Sequence, residues 1–456
     1  MSNRQLPLNC VDKCLLAMDR ANEPMIIHAM LCLEGKIDSE RLGSAVAQAQ
    51  EIYPVMRTLI RSNGLRTSRE IQDGSRDGVL TVQDLSGDGE VDHNSQLFDW
   101  MNQPMDPREV SPLRVFLLRR NGRESLLVFS FHHSSTDGVR ATLFVKTVVE
   151  LYNNGTAQAS LESQEIRITR KGDELVEFAN SQRSRVGGYY LRMASALFKR
   201  FVIDAMAPPT RVHHDRTGSS RRLHYCFETI STEELDSIES KAKSVDVMLN
   251  DIILAACYRT VERWNRKHGR RSQRIFIMAP VNMRPKGYRN VVSNQAAWIS
   301  PSTSPRDRQD PVRLLQKVNA DTREAAKNRT AFSLIYYFYL CSQFPLSIMR
   351  LVCRLLIVSR IYVNSIIVTN VGVIWPKPNS EEAALTNLGD ARIVNFTGSA
   401  PVVTPMGLCV CVNLYNRKMN VSLTYRNALF SDEKAQEFLR MLVDEIRDYK
   451  TEPEAA

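Results

Sequence analysis

Two adjacent histidines in the stretch FHHSSTDGVR, residues 131 to 140, have the types and spacing best suited to chemistry in this chain. Imidazole titrates near neutral pH, so a histidine can take a proton from an attacking hydroxyl or amine and return it to a leaving group. Neighbouring side chains on a strand point to opposite faces, so His132 and His133 cannot share one role. One should face a core and the other a cleft. Asp137 and Gly138 then turn the chain: Asp accepts backbone N–H groups or binds a cation, and Gly tolerates tight geometry. The reading is one chemical histidine with an organising aspartate.

Other chemistries fit less well. Two histidines and an aspartate are legitimate zinc ligands, but neighbouring strand residues diverge, whereas a metal needs its ligands convergent, so no metal is expected. Ser134 and Ser135 lie beside a histidine without the G-x-S-x-G elbow of a serine hydrolase. A second pair in VHHDR, His213 and His214, sits in a polar stretch with no apolar strand before it and reads as a solvated loop. His28, His93, His224 and His268 are isolated and receive no role.

The elements around the pair follow from periodicity. SPLRVFLLRRNGRESLLVFSFHH gives two strand-like runs about Asn121-Gly122, a strong hairpin signal, and the second run delivers the histidines at its end. Beyond Gly138, Leu143, Val148 and Leu151 keep helical spacing until Gly155. Upstream, Asp38 or Ser39 can cap a helix striped by Leu42, Ala45, Val46 and Ala49; Pro54 ends it and VMRTLIR reads as a strand. Residues 156 to about 222 lack regular alternation and include the Pro, Gly, Ser and Arg-rich APPTRVHHDRTGSSRR, read as the domain connection. A second half starts near Leu223. Ser244 or Asp246 can cap a helix through Leu249, Ile253, Ala256, Cys257 and Trp264; strands RIFIMAPVNM, NSIIVTNVG, GLCVCVNLYN and KMNVSLTYR follow, with a last helix from about Ser431 to Tyr449. The expected organisation is 1–205, a connection 206–222, and 223–456.

Composition narrows the setting. With 456 residues, two medium domains are expected, and 43% hydrophobic content marks a globular chain. The net charge of +10 favours anionic partners, but the basic residues are scattered without a nucleic-acid-binding signature, so no nucleic acid is expected. Nine cysteines without framework spacing fit a reducing cytosol, and the first twenty residues hold no signal-peptide core, so a cytoplasmic location is expected. The stretch PLSIMRLVCRLLIVSRIYVNSIIVTN carries Arg350, Arg354 and Arg360, which a bilayer centre disfavours. It reads as a buried or partly amphipathic helix followed by a strand, with peripheral membrane contact left open.

The H-H-x-x-x-D-G motif at a strand-to-helix junction resembles the signature of the chloramphenicol-acetyltransferase-like superfamily, which includes condensation domains, alcohol acyltransferases and wax ester synthase-like enzymes. The resemblance extends to EGKIDSERLGSAVAQAQEIYPVMRTLIR, with Met56 in place of the usual leucine, to SVDVMLNDIILAACYRTVERW, to MAPVNMRPKGYRNVVSNQAAWI, and to IIVTNVG, with Thr369 in a serine position. It implies an α/β fold of two chloramphenicol-acetyltransferase-like sandwich domains in a V, with the active-site channel between them. It also implies that His133 is the general base, that His132 and Gly138 are structural, and that Asp137 pairs with Arg284. Thr369, Asn370 and Asn282 would line the channel near the reacting carbonyl. The plant D-F-G-W-G pentapeptide is absent, and the two halves fill the chain, so a free-standing transferase is expected.

The function implied is transfer of an acyl group from a thioester to an alcohol or amine, without a permanent cofactor. Coenzyme A and a phosphopantetheinyl carrier protein, the latter acidic, present the same thiol arm and are alternative donors. A non-catalytic, condensation-like binding or scaffold protein is the competing reading.

Overall fold

A computed structural model describes residues 5–20, 23–63, 66–73, 78–85, 93–120, 123–156, 174–216, 218, 222–284, 292–359, 364–375, 385–402 and 406–451. The chain opens with strand β1 (Gln5–Pro7), helix α1 (Cys10–Met18), β2 (Ile26–Glu34), α2 (Ser39–Ile52), β3 (Thr58–Asn63), β4 (Arg66–Ile71) and β5 (Leu80–Leu85). Helix α3 (His93–Met101), β6 (Leu113–Arg120), β7 (Glu124–His132) and α4 (Gly138–Asn154) follow, then α5 (Glu174–Ser181) and α6 (Tyr189–Phe198). The next run is β8 (Leu223–Ile230), α7 (Thr232–Ser244), α8 (Leu249–Lys267), β9 (Ile275–Asn282), β10 (Ala296–Ile299), β11 (Ser302–Thr303), α9 (Pro311–Asn328), α10 (Phe332–Ser342) and α11 (Leu346–Val358). Strands β12 (Ile366–Val373), β13 (Asn387–Leu388), β14 (Ala391–Ser399), β15 (Leu408–Tyr415) and β16 (Lys418–Arg426) precede the last helix, α12 (Asp432–Arg447).

Two mixed sheets organise these elements. The first has the order β13-β14-β2-β7-β6-β5, antiparallel except for β5 against β6. Its inner residues Leu127 and Phe129 pack with Leu42 and Val46 of α2 and Phe144 and Val148 of α4. The second runs β10-β9-β12-β15-β16-β8, with β12 parallel to both neighbours, and buries Val410 against Ile253 and Trp264 of α8 and Leu439 of α12. Each such side chain contributes roughly 1.5–3 kcal/mol by leaving water. A small β1-β4-β3 sheet stands beside them.

β14 belongs to the C-terminal half by sequence but pairs along β2 in the first sheet, from Arg392 opposite Glu34 to Ser399 opposite His28. Gly35 permits this join: its φ is +125°, and a Cβ there would lie 2.7 Å from the Ala391 Cα.

Several local expectations need correction. Pro54 fixes φ, so residues 54–57 form a 3-10 turn and the strand starts at Thr58. Asp38 does cap α2, accepting from the Glu40 and Arg41 amides. Neither Ser244 nor Asp246 caps α8: Ser244 ends α7, Asp246 has φ +54°, and the Asp251 carboxylate accepts the Met248 amide instead. The region from 156 to 222 is not a plain connection, because α5 and α6 pack on α10. His213 and His214 are half-buried rather than solvated; His213 stacks on His268 at 4.5 Å and accepts the Trp264 indole N–H through its carbonyl. Asn121 and Gly122 lie outside the described residues, while β6 and β7 pair antiparallel up to Arg120 opposite Glu124.

Candidate active site

His132 ends β7 and His133 follows in the turn; only His133 lines the cavity of the site. His132 is fully buried: its Nδ1 accepts the Ser134 amide at 3.2 Å and meets the Ser134 hydroxyl at 2.8 Å, which leaves its Nε2 to carry the proton 3.5 Å from Asp19. His133 has the opposite tautomer. Its Nδ1 lies 3.0 Å from the Thr136 carbonyl, which can only accept, so Nδ1 carries the hydrogen and Nε2 keeps its lone pair. Burial holds the His133 pKa below its ordinary value, against smaller upward pulls from the Thr136 carbonyl and the Asp137 carboxylate. The ring is therefore neutral at pH 7 and able to accept a proton.

Asp137 organises what surrounds it. As N-cap of α4 its Oδ1 accepts the Arg140 amide, while Oδ2 accepts the Gln295 amide at 3.0 Å and pairs with the Arg284 guanidinium. The Arg284 side chain is buried in this pair and also donates to Asn282 Oδ1 and to the Ser293 carbonyl. One carboxylate thus ties the start of α4 to the segment that joins β9 and β10. Burial, with help from the charge of Arg284, lowers the neighbouring Arg140 to about 10.

A cavity of about 220 Å³ collects the predicted residues: His133, Asp137, Gly138, Asn282, Arg284, Thr369 and Asn370 all line it, and His132 does not. Its wall is mostly apolar, with Met25, Ile27, Trp298 and Phe396 among the contributors. Asn370 donates to Asn250 and accepts the Gly372 amide, shaping a bulge in β12 where Gly372 has φ +82°. With Asn370 so engaged and the Asn282 oxygen held by Arg284, the hydroxyl of Thr369 stands out as the polar group that β12 offers to the cavity.

Sequence reasoning passed over four contributors. Asn294 donates to the His133 carbonyl at 2.8 Å, a contact foreshadowed by the matched segment VVSNQAAWI but not by any periodicity. Arg69, from the polar strand β4, reaches the Ser134 carbonyl and pairs with buried Asp12 at 3.0 Å. His28 and Asn413 line the cavity from β2 and β15. The His28 Nε2, Asn413 Oδ1 and Asn294 Oδ1 are buried there with no protein partner among the described residues. No cluster of three or more His, Cys, Asp or Glu suited to a metal occurs among the described residues, and no helix there is long and apolar enough to cross a membrane.

Comparison with known proteins accounts for this architecture. Residues 14–286 match the condensation domain family model. Gramicidin S synthase 2 of Brevibacillus brevis is 31% identical over 140 residues, 30% of this chain but only 3% of that much longer protein. Two solved structures share the fold over nearly the whole of both chains. The first condensation domain of the calcium-dependent antibiotic synthetase, in complex with a substrate analogue, has TM-score 0.66 and 15% identity, covering 98% of each. The starter condensation domain of rhizomide synthetase, in complex with C8-CoA, has TM-score 0.63 and 13% identity, covering 98% of this chain and 94% of its own. The two mixed α/β units are therefore chloramphenicol-acetyltransferase-like, and the chain belongs to the condensation domain family.

Proposed function

We propose that the protein transfers an acyl group from a phosphopantetheinyl thioester to an amine or alcohol, with His133 as general base. The observation that carries this reading is the free Nε2 lone pair of a neutral, cavity-lining imidazole whose other nitrogen is held by the Thr136 carbonyl. As the acceptor nitrogen or oxygen attacks the thioester carbonyl, its proton passes to Nε2. The C–S bond then breaks, and the proton returns to the leaving thiolate. No acyl-enzyme is required.

In this reading Asp137 is a positioning residue. Its oxygens are taken up by the Arg140 and Gln295 amides and by Arg284, so it acts by fixing the loop on which His133 stands. Thr369 is the side chain proposed to donate to the developing oxyanion. The apolar wall suits an acyl chain, and the unpartnered atoms of His28, Asn294 and Asn413 are places for polar groups of donor or acceptor. The rhizomide synthetase relative was solved with C8-CoA, which supports a coenzyme A donor here, while the synthetase relatives favour a carrier-bound one.

The test is free-thiol release from short and long acyl-CoAs and from acylated carrier protein, with pooled amine and alcohol acceptors. Acceptor-dependent release is expected, and His133→Ala should lower it by about 100-fold or more. Equal release from the intact protein and the variant would leave the chain as a binding module.

A further inference from the structure

Thirteen of the eighteen exposed large hydrophobic side chains among the described residues fall in two short stretches, 190–206 and 340–358. In α11 the pattern is a stripe: Ile348, Leu351, Val352, Leu355 and Val358 face solvent at helical spacing, while Met349 and Cys353 face inward in the cluster that includes α1 and α10. Of the two sequence expectations, a buried or a partly amphipathic helix, the second describes α11, and core packing explains only its inner face. The other stretch continues α6 through a wider turn at Lys199–Ile203 and a last turn at Asp204–Met206, and exposes Leu191 at 77% and Met206 at 82%. Phe201 against Tyr337 of α10, ring centres 4.9 Å apart, and Arg200 donating to Asn364 at 3.4 Å place this stretch against the elements that precede and follow α11.

Charge tells what such a face is suited to meet. Residues 190–206 contain Arg192, Lys199 and Arg200 and one acidic residue, Asp204, whose largely buried carboxylate pairs with Arg274 at 3.0 Å, and residues 340–358 contain Arg350 and Arg354 and no acidic residue. Large aliphatic side chains with interspersed cations, and a single carboxylate that is already paired and turned from solvent, suit a surface that is apolar below and anionic above.

We propose that this face binds the surface of an anionic lipid bilayer, with α11 and the end of α6 lying in the headgroup region. α11 is 13 residues long, so it lies on the membrane rather than across it. Its inner side packs on α1, whose Val11, Leu15 and Met18 line the cavity, so one helix separates the bound lipid surface from the site. That last step links the face to acyl transfer and rests on the proposed function; the binding itself does not.

The full chain is to be sedimented with vesicles of phosphatidylcholine alone and of phosphatidylcholine with phosphatidylglycerol, and its thiol release measured separately without lipid. Binding to the anionic vesicles is expected, weakening with added salt. The double variant Leu351→Glu and Leu355→Glu, at positions already exposed, should keep its circular dichroism and melting temperature and lose about tenfold or more of the vesicle affinity. Three results would overturn the proposal: no pelleting with anionic vesicles, equal pelleting with both vesicle types, or undiminished binding by the folded double variant. A dimer of the intact chain that the variant dissociates, without vesicle binding, would assign the face to a second copy. Loss of vesicle binding with thiol release intact, or the converse, separates this inference from the acyl-transfer reading.

Discussion

At the scale of single residues, two adjacent histidines acquire opposite tautomers from their local partners. The Ser134 amide makes His132 Nδ1 an acceptor, and the Thr136 carbonyl makes His133 Nδ1 a donor. Because burial lowers the His133 pKa, the neutral imidazole persists to more acidic pH than for an exposed histidine. The sign follows directly: in the proposed role of His133 as base, protonation removes the accepting lone pair, so kcat/KM should stay level through neutral pH and fall only below the ordinary histidine value of about 6.5. A pH–rate profile with its acid limb above that value would contradict this placement of the base.

At the scale of elements, the loop carrying His133 is held from both halves of the chain. Asn294 grips its carbonyl from the segment before β10, and Arg69 grips the Ser134 carbonyl from β4 while pairing with Asp12 at the start of α1. Burial pushes the Asp12 carboxyl up, and Arg69 is the main opposing influence. Arg69→Ala would strand that carboxyl and leave the Ser134 carbonyl without its guanidinium donor, so denaturant unfolding should show a loss of about 3–5 kcal/mol. Replacing both partners, Arg69→Met with Asp12→Leu, should recover part of it, because no buried charge is then left unpaired. Undiminished stability in the single variant would mean that water reaches the pair.

At the scale of the whole molecule, the C-terminal half contributes a strand to the first sheet. β14 completes the first sheet beside β2, and its backbone passes so close to Gly35 that no side chain fits there. Gly35→Ala combines a left-handed φ with a collision against Ala391 and should destabilise by at least about 1 kcal/mol, read as a lower melting temperature. An unchanged melt would show that the join relaxes freely. The same tertiary arrangement brings Asp137 and Arg284, 147 positions apart, into one buried ion pair.

The sequence alone was enough to identify the histidine motif, the strand that ends in it, the helix that Asp137 caps, and the family resemblance. These depend on local spacing, on turn-forming residues and on the short-range chemistry of caps. Where β14 would pair was not legible, because a strand's partner is chosen by which apolar faces can be buried together, not by its own alternation. The roles of Arg69, Asn294, His28 and Asn413 were also hidden, since each depends on a neighbour far along the chain. Helix α11 shows the division most plainly. From sequence it reads as a buried or partly amphipathic helix, and only the packing of α1 and α10 against one side decides which face is buried and which remains toward solvent.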